Sequence, residues 1–427
     1  MPPTLTVFPV YYPNAPSLRP PAVAGAPPPP PPSPAPSPLP APALSKANPS
    51  AGPMLSTAIL AVCAALLCIG VVIVYSAGQS LREPVDPLDP TQLVNSQSLR
   101  QFLFAPLALL IAAMVSRVDY HRAHAARRLV FWPALWLWVL TVVGLLLVFV
   151  PGIGVEVNGA RRWIRLAPGV GLQPSELAKL ALPLLLAGLL GKGLIDIRRF
   201  WMGLLPLCLI VGLTCGLVGK EDLGTAILLA AVAGSVFILG GARLWHLALL
   251  AGPALAAVGA LVIIEPYRVT RITSFANIWA DPQGAGYHPI QSLITIAEGG
   301  VWGTGLGGSV QKLGYLPESQ TDFIFSVITS ELGLIGAGLV ISLFILLLWL
   351  GRNAFRGAPD QTGRLVAAGV TLTICLQAII NIAVVTVSAP TKGISLPFVS
   401  AGGTGVLVLA CGAGLLANVA RQRRWNL

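Results

Sequence analysis

The sequence predicts an all-α polytopic membrane protein with about ten transmembrane helices and one large extracytoplasmic loop. Of its 427 residues, 55% are hydrophobic and 10% are charged, and the mean hydropathy is +0.78. Soluble domains carry about 25% charged residues, so this balance excludes a soluble enzyme. Apolar runs near the length of about 20 residues that crosses a bilayer as a helix recur along the chain. One long polar interruption, from Glu265 to Glu331, separates two of these runs.

Ten apolar runs are candidate transmembrane helices. They cover residues 55–76, 98–116, 129–150, 175–190, 201–218, 223–240, 247–264, 324–349, 365–388 and 402–419. With the N-terminus inside, the cytoplasmic loops and tails hold 16 basic and three acidic residues, a net charge of +13, whereas the rest of the chain has a net charge of −2. The positive-inside rule therefore predicts a multi-pass protein of the cytoplasmic membrane, with both termini in the cytoplasm and the long loop outside.

The chain divides into three predicted regions. Residues 1–53 are a predicted disordered cytoplasmic tail, residues 54–420 the ten-helix membrane domain with its external loop at 265–323, and residues 421–427 a basic cytoplasmic tail. The first region holds 20 of the 38 prolines and only two charged side chains. It lacks the material for a packed core, and its proline run favours polyproline II. A disordered tail is a simpler interpretation than a ligand for an aromatic-grooved domain.

The long loop has the composition of a folded region. Six aromatic residues precede Asp322, and apolar residues at Ile290, Leu293, Ile294 and Ala297 have the spacing of one face of an amphipathic helix. Loops of this length inside a compact protein are usually functional or disordered. The apolar content excludes a solvated tether and favours function.

Several other kinds of site are excluded by their context. The arginines lie in short loops between spans, which membrane topology explains without nucleic acid. All six cysteines lie within apolar runs, so disulfides are not expected. His121 and His124 have no cysteine or carboxylate cluster beside them, which favours a solvated loop over a metal site. Gly303, Gly305 and Gly308 match a dinucleotide fingerprint without a βαβ unit, so they indicate a flexible turn or a close approach to a ligand.

Polar groups at the predicted outer surface are the candidates for a site. Arg161 and Arg162 precede a tryptophan, a pattern typical of either an interfacial anchor or a functional group. Ser175 can cap the fourth span, and Glu176 and Lys179 share one helix face because they are three residues apart. That pair either satisfies itself or faces a cavity, which is usual for ionisable groups that enter a span.

The end of the long loop holds Lys312, Glu318 and Asp322. Asp322 directly precedes an apolar run, so it is predicted at the membrane boundary. Partial desolvation there raises the pKa of a carboxylate and makes it a better base. A helix cap formed by Thr321 or Asp322 is the alternative, and it is compatible with catalysis.

Eight motifs, in order along the chain, resemble the SEDS family (shape, elongation, division and sporulation). They are NGARRWI from Asn158, QPSELAKL from Gln173, DLGTA from Asp222, PYRVTRITSF from Pro266, QSL from Gln291, GLGGSVQKLGYLPE ending at Glu318, TDFIF from Thr321 and LPFVSAGG from Leu396. The motifs GARRWI and SVQKLGYLPE are more similar to the division branch of the family than to the elongation branch. The resemblance covers nearly all of residues 55–420.

The resemblance implies ten helices and a peptidoglycan glycosyltransferase. Its substrate would be lipid II, an undecaprenyl-pyrophosphate-linked disaccharide-pentapeptide, polymerised at the outer face of the cytoplasmic membrane. A single-span class B penicillin-binding transpeptidase and other division proteins are the implied partners. By motif, Asp322 matches the family's essential acidic residue, and Glu176, Lys179 and Lys392 match polar positions around its cavity.

The chemistry of such a substrate agrees with these residues. Pyrophosphate is a good leaving group, so the reaction needs a base for the attacking hydroxyl and positive charge for the departing phosphates. Asp322 is the predicted base, and Glu318 is its close rival. The predicted phosphate binders are Arg161, Arg162, Lys179, Lys312 and Lys392, and a divalent cation, Mg²⁺ or Mn²⁺, could share that role.

Three residues of this chain depart from the family pattern. The family usually has His where this chain has Gln320, Glu where it has Ser330, and Tyr where it has Ala401. Because Gln320 cannot titrate, a proton relay through that position is not expected.

Ten spans with intramembrane polar residues also suit a lipid-linked precursor flippase, which would move lipid without making polymer. A non-catalytic division scaffold would do neither.

Overall fold

The computed structural model describes residues 51–78, 97–118, 120, 132–157, 160–167, 170–310 and 315–422. Most of both predicted tails, the pair His121 and His124, and the candidate phosphate binder Lys312 lie outside the described residues.

The described residues form twelve α-helices. They are α1 (Ala51–Ala77), α2 (Gln97–Arg117), α3 (Pro133–Leu147), α4 (Pro174–Gly191), α5 (Leu205–Glu221), α6 (Leu223–Leu239), α7 (Leu244–Ile264), α8 (Pro266–Ala276), α9 (Tyr287–Gly299), α10 (Ile324–Gly357), α11 (Gln361–Val385) and α12 (Thr404–Arg421). Eight of them are long and apolar enough to cross a membrane. The two shorter apolar helices, α3 and α6, coincide with the other two predicted spans. The all-helical membrane fold is therefore confirmed, and the count of ten spans stays a prediction.

Helix α11 lies at the centre of the bundle. It packs against α4, α6, α10 and α12, while α2 packs along α12 and α1. Most residues of α4 and α11 are buried, whereas α7 has no buried residue and packs mainly against α6 and α8. The polar side chains of α4 and α11 can therefore meet inside the protein, away from lipid.

A three-stranded antiparallel sheet precedes α4. Its strands β1 (Gly154–Val157), β2 (Ala160–Ala167) and β3 (Val170–Leu172) are hydrogen-bonded in chain order. The sequence pattern did not predict these strands. Successive side chains of a strand point to opposite faces, so the sheet separates Arg161 from Arg162.

The long loop contains α8, a short 3₁₀ helix (Ile278–Ala280) and α9. The predicted helix around Ile290 is confirmed, and Ile290 is buried, but the apolar stripe does not form the whole buried face. Ile294 is 41% exposed, and Ser292 and Thr295 are buried instead. Ser292 Oγ donates to the carbonyl of Val385 at 2.6 Å, which places this hydroxyl face against α11.

Two glycines explain why the small and polar face of α9 is the buried one. A Cβ atom on Gly299 would lie 2.0 Å from the carbonyl oxygen of Thr329, and one on Gly303 would lie 2.2 Å from that of Glu331. Gly303 also has a φ of 80°, which side chains rarely adopt. The backbone after α9 therefore approaches α10 more closely than an apolar stripe would permit.

The two ends of the described chain meet at one end of the bundle. A Cβ atom on Gly52, in the first turn of α1, would lie 2.7 Å from the carbonyl oxygen of Arg421 at the end of α12. Tyr120 donates its hydroxyl to Asp360, the N-cap of α11, at the same end. The sheet, the long loop and the 386–403 connection occupy the opposite end, as the alternation of the predicted spans requires.

Candidate functional site

A cavity of about 2100 Å³ lies where the sheet, the long loop and the 386–403 connection meet. Six of the eight predicted site residues line it: Arg162, Glu176, Lys179, Glu318, Asp322 and Lys392. The prediction that these separate motifs face one cavity is therefore supported by their placement.

Asp322 is held by a turn between the long loop and α10. Glu318 begins the turn with a φ of 53°, and its carbonyl accepts the amides of Thr321 at 3.1 Å and Phe323 at 3.2 Å. Left-handed backbone is uncommon outside glycine and is often found at functional sites. Asn381 Nδ2 donates to the carbonyl of Asp322 at 2.8 Å and so ties the turn to α11.

The proposed capping role of this turn is wrong. The N-cap of α10 is Phe323, and no side chain accepts a hydrogen bond from the helix amides there. The carboxylate of Asp322 instead lines the cavity. A Cβ atom on Gly393 would lie 3.0 Å from Asp322 Oδ2 and 3.9 Å from Arg162 Nη1, so glycine at this position lets the 386–403 connection approach both side chains closely.

The surroundings of Asp322 make it a stronger base than an ordinary aspartate. Burial raises the pKa of its carboxyl from 3.8 to about 7, and the neighbouring carboxylates of Glu318 and Asp222 add to the rise. The guanidinium groups of Arg162 and Arg271 oppose it. At neutral pH this carboxyl is therefore close to its midpoint, which suits a group that takes up and returns a proton.

Cations from three separate elements share the cavity with this carboxylate. Arg162 comes from β2, Arg271 from α8 and Lys392 from the 386–403 connection, and all three line the cavity. Burial lowers the pKa of Lys392, and so does the charge of Arg271. Arg162 Nη2 also donates to the carbonyl of Glu221 at 2.6 Å, at the end of α5. The cluster presents positive charge of the kind that binds phosphate oxygens.

The predicted pair on α4 is present. Glu176 Oε1 lies 2.7 Å from Lys179 Nζ, and Lys179 Nζ also donates to Gln377 Oε1 at 2.9 Å. Gln377 Nε2 in turn donates to the carbonyl of Ser395 at 2.8 Å. The pair therefore both satisfies itself and faces the cavity, and it links α4 to α11 and the 386–403 connection. Ser175 does not cap α4, whose N-cap is Gln173.

Arg161 does not line this cavity. Its Nε lies 3.4 Å from Glu156 Oε2, and its side chain is 46% exposed. Its backbone amide donates to Glu221 Oε2 at 2.9 Å. These contacts agree with the interfacial-anchor interpretation of this arginine.

The three departures from the family pattern have different surroundings. Gln320 accepts the amide of Ala401 at its carbonyl, at 2.9 Å, and its side-chain oxygen is buried without a hydrogen-bond partner. Ala401 lines the cavity, whereas Ser330 donates to Glu298 Oε2 at 3.4 Å.

Sequence reasoning missed several cavity residues. Asp222 accepts from the amide of Thr225 at 3.0 Å, so its pattern is that of an ordinary helix N-cap. Arg271 and His288 lie on helices of the long loop. Gln97, Arg100, Gln101 and Phe104 line another wall of the cavity from α2. These four residues have i, i+3, i+4 spacing on an otherwise apolar helix, and this spacing could have indicated that one face of α2 lines a site.

The described residues contain no group of three or more His, Cys, Asp or Glu side chains that could hold a metal ion. That Mg²⁺ or Mn²⁺ shares the binding of the phosphates stays a hypothesis from the sequence.

Comparison with known proteins gives a family and several relatives. Residues 57–425 match the model of the FtsW/RodA/SpoVE family, described as "Cell cycle protein". The chain is 40% identical over 362 residues to "Probable peptidoglycan glycosyltransferase FtsW" of Geobacter sp. (strain M18), covering 84% of this chain and 95% of that protein. It is 38% identical over 364 residues to "Stage V sporulation protein E" of Bacillus subtilis (strain 168), with coverage of 84% and 95%.

Solved structures agree with this assignment. A chain from "Structural coordination of polymerization and crosslinking by a peptidoglycan synthase complex" is similar with a TM-score of 0.66 and 26% identity, covering 86% of this chain and 98% of that chain. The rod shape determining protein RodA of Thermus thermophilus gives a TM-score of 0.59 at 26% identity, with coverage of 86% and 97%. The resemblance seen in the sequence motifs is thereby confirmed, and this chain belongs to the FtsW/RodA/SpoVE (SEDS) family of membrane proteins.

Proposed function

We propose that this protein is a peptidoglycan glycosyltransferase that polymerises lipid II during cell division, at the outer face of the cytoplasmic membrane. The observation that carries the proposal is Asp322, a carboxyl with a pKa of about 7 on the wall of a large cavity rich in cations. A base beside positive charge is what a transfer from a diphosphate requires. The relative from Geobacter sp. (strain M18), whose name is that of a probable peptidoglycan glycosyltransferase, supports the same reaction.

The proposed reaction uses these groups in one displacement. Asp322 takes the proton of the attacking sugar hydroxyl, whose oxygen forms a bond to the anomeric carbon of a second lipid-linked sugar. The bond between that carbon and the diphosphate breaks, and its electron pair leaves on the phosphate oxygen. An α-linked donor would give a β-linked product. Arg162, Arg271 and Lys392 stabilise the charge that develops on the diphosphate.

The carboxylates of the site have different proposed roles. Glu318 shapes the turn through its backbone and accepts the Thr321 hydroxyl at 2.8 Å. Glu176 holds Lys179 on the cavity wall. Asp222 caps α6 and adds negative charge near Asp322. Asp322 is the proposed base, because the hydrogen bond from Asn381 goes to its backbone carbonyl and its carboxylate lines the cavity.

The direct test is polymerisation by the full-length protein in lipid nanodiscs with labelled lipid II, with and without a class B penicillin-binding transpeptidase. We expect glycan strands that a muramidase digests. Movement of lipid II across a bilayer without polymer would favour the flippase alternative. Neither activity, with retained binding to the transpeptidase, would favour the scaffold.

The transpeptidase partner is part of the proposal. A similar chain comes from a complex whose description joins polymerization and crosslinking. The class B transpeptidase of the division machinery is the proposed partner here, because a new strand must be crosslinked after it is made. Other division proteins are further proposed partners.

The proposed orientation predicts a labelling pattern. Gln283, in the long loop, and Gln361, at the start of α11, are both exposed and belong to opposite ends of the bundle. A membrane-impermeant maleimide should label Gln283→Cys in intact cells, and Gln361→Cys only after permeabilisation. The parent chain controls for the native cysteines. Labelling of both variants in intact cells would contradict the alternation of spans.

The pH dependence of the rate provides another prediction. Asp322 must be ionised to act as a base, so activity should rise about tenfold per pH unit below a midpoint near its pKa of about 7 and level off above it. The pKa of Lys392 is lowered, so its charge should be lost at a lower pH than that of an ordinary lysine. Lys392→Arg should move the alkaline limb upward and leave the acid limb in place. An acid limb near pH 4 would contradict the raised pKa.

A further inference from the structure

The proton that Asp322 takes from each acceptor sugar must leave the site before the next addition. A processive reaction makes this necessary at every step, because a protonated carboxyl cannot act as a base again. An imidazole is the side chain best suited to pass a proton to water near neutral pH. Among the residues that the structure describes along the cavity wall, His288 is the one histidine.

His288 packs against the residue that follows the base in the chain. Its ring stacks on Phe323, the residue after Asp322, with a centroid distance of 5.9 Å and an interplanar angle of 17°. On either side of it, Tyr287 donates its hydroxyl to the carbonyl of Tyr315 at 2.8 Å, and Pro289 is buried. The imidazole itself is exposed at the cavity wall, where water can reach it.

The base and the imidazole share their charged neighbours. Arg271 from α8 and Glu318 from the turn before α10 act on both Asp322 and His288. Partial burial lowers the pKa of His288, the charge of Arg271 lowers it further, and Glu318 opposes the shift. These shared neighbours place the imidazole and the carboxyl in one electrostatic environment at the cavity wall. The other charged groups lining this cavity are Arg100, Arg162, Arg165, Glu176, Lys179, Asp222 and Lys392.

We propose that His288 relays the proton from Asp322 to the water at the mouth of the cavity after each glycosyl transfer. In this step the carboxyl O–H bond breaks and an imidazole N–H bond forms, directly or through one water molecule. The imidazolium then returns its proton to solvent, so Asp322 is regenerated as a carboxylate and no further reactant is consumed. This inference rests on the proposed glycosyltransferase reaction.

Two substitutions at His288 and one matched control test the relay. His288→Gln keeps a polar side chain but cannot titrate, and His288→Phe keeps the aromatic stack. His246→Gln is the control, since His246 also packs against an aromatic ring, that of Phe200 at 5.3 Å, but does not line the cavity. Each full-length variant would be assayed in nanodiscs with lipid II at fixed pH and increasing imidazole concentration.

We expect kcat to fall about tenfold or more in both His288 variants, with KM within about twofold of wild type. Added imidazole should restore kcat in His288→Gln and leave wild type and His246→Gln unchanged. The acid limb near pH 7, which belongs to Asp322, should remain in all of them.

Three results would overturn the relay. They are a wild-type kcat in His288→Gln, a lowered kcat that imidazole does not restore, and a wild-type kcat in His288→Phe. Absence of polymer from the wild-type protein would be a different result, because it would reject the proposed function itself.

Discussion

Protein carrying Asp322→Asn is expected to insert into the membrane normally and to make no detectable glycan polymer. Asparagine keeps the size of the side chain, and the hydrogen bond from Asn381 goes to the backbone carbonyl of residue 322, so the turn should survive. What is lost is the base, which is worth about 100-fold to 10,000-fold in rate. Lipid II binding should persist, because the surrounding cations are unchanged.

The effect of Asp322→Asn on the stability of the fold has an expected direction. The raised pKa of Asp322 means that the folded protein binds a proton more tightly than the unfolded chain. Its contribution to stability is therefore present below pH 3.8 and is lost as the pH rises to about 7. Above pH 7, Asp322→Asn should unfold at a temperature no lower than wild type.

Glu318→Gln is the matched control for Asp322→Asn. Glu318 lies in the same turn, and its backbone carbonyl, which the substitution keeps, forms the turn's hydrogen bonds. Measurable polymerisation by Glu318→Gln and none by Asp322→Asn would support the assignment. Wild-type polymerisation by Asp322→Asn would reject Asp322 as the base, and loss of membrane insertion would give the residue a structural role.

Lys179→Gln is expected to lose both folding stability and activity. Lys179 is 4% exposed and holds Glu176 at 2.7 Å, so its removal leaves a partly buried carboxylate without its cation. Breaking one partner of a buried ion pair costs about 3–5 kcal/mol.

A double variant separates the two effects at Lys179. Glu176→Gln with Lys179→Gln removes both charges, so most of the lost thermal stability should return. If Lys179 also binds the substrate diphosphate, the double variant should be stable and still polymerise slowly, with a raised KM. Wild-type polymerisation by the double variant would show that the pair has only a structural role.

Much of the fold could be predicted because lipid imposes a simple pattern. Each predicted apolar run overlaps a helix of the described residues, since a chain crossing the bilayer must satisfy its backbone internally. The sheet before α4 was not predicted, because its strands are short and lie among turns. The buried face of α9 combines Ile290 with small and polar residues, which apolar spacing did not indicate, because close backbone packing at Gly299 and Gly303 outweighs that spacing.

The site was predicted in part for a related reason. Asp322 and the pair on α4 stand out because charged groups next to apolar runs are costly. Arg271 and His288 lie in a polar loop where such residues are ordinary, and only the tertiary fold brings them to the cavity. Asp222 was hidden by its role as a helix cap.

The start of α1 and the end of α12 lie next to each other in the membrane domain. Because Gly52 lies against the backbone of Arg421, a short linker could join these positions without spanning the bundle. A circular permutant could then begin and end in another loop at the same end of the bundle, for example between α10 and α11. The order in which helices enter the membrane during synthesis could thus be changed while the cavity residues keep their neighbours.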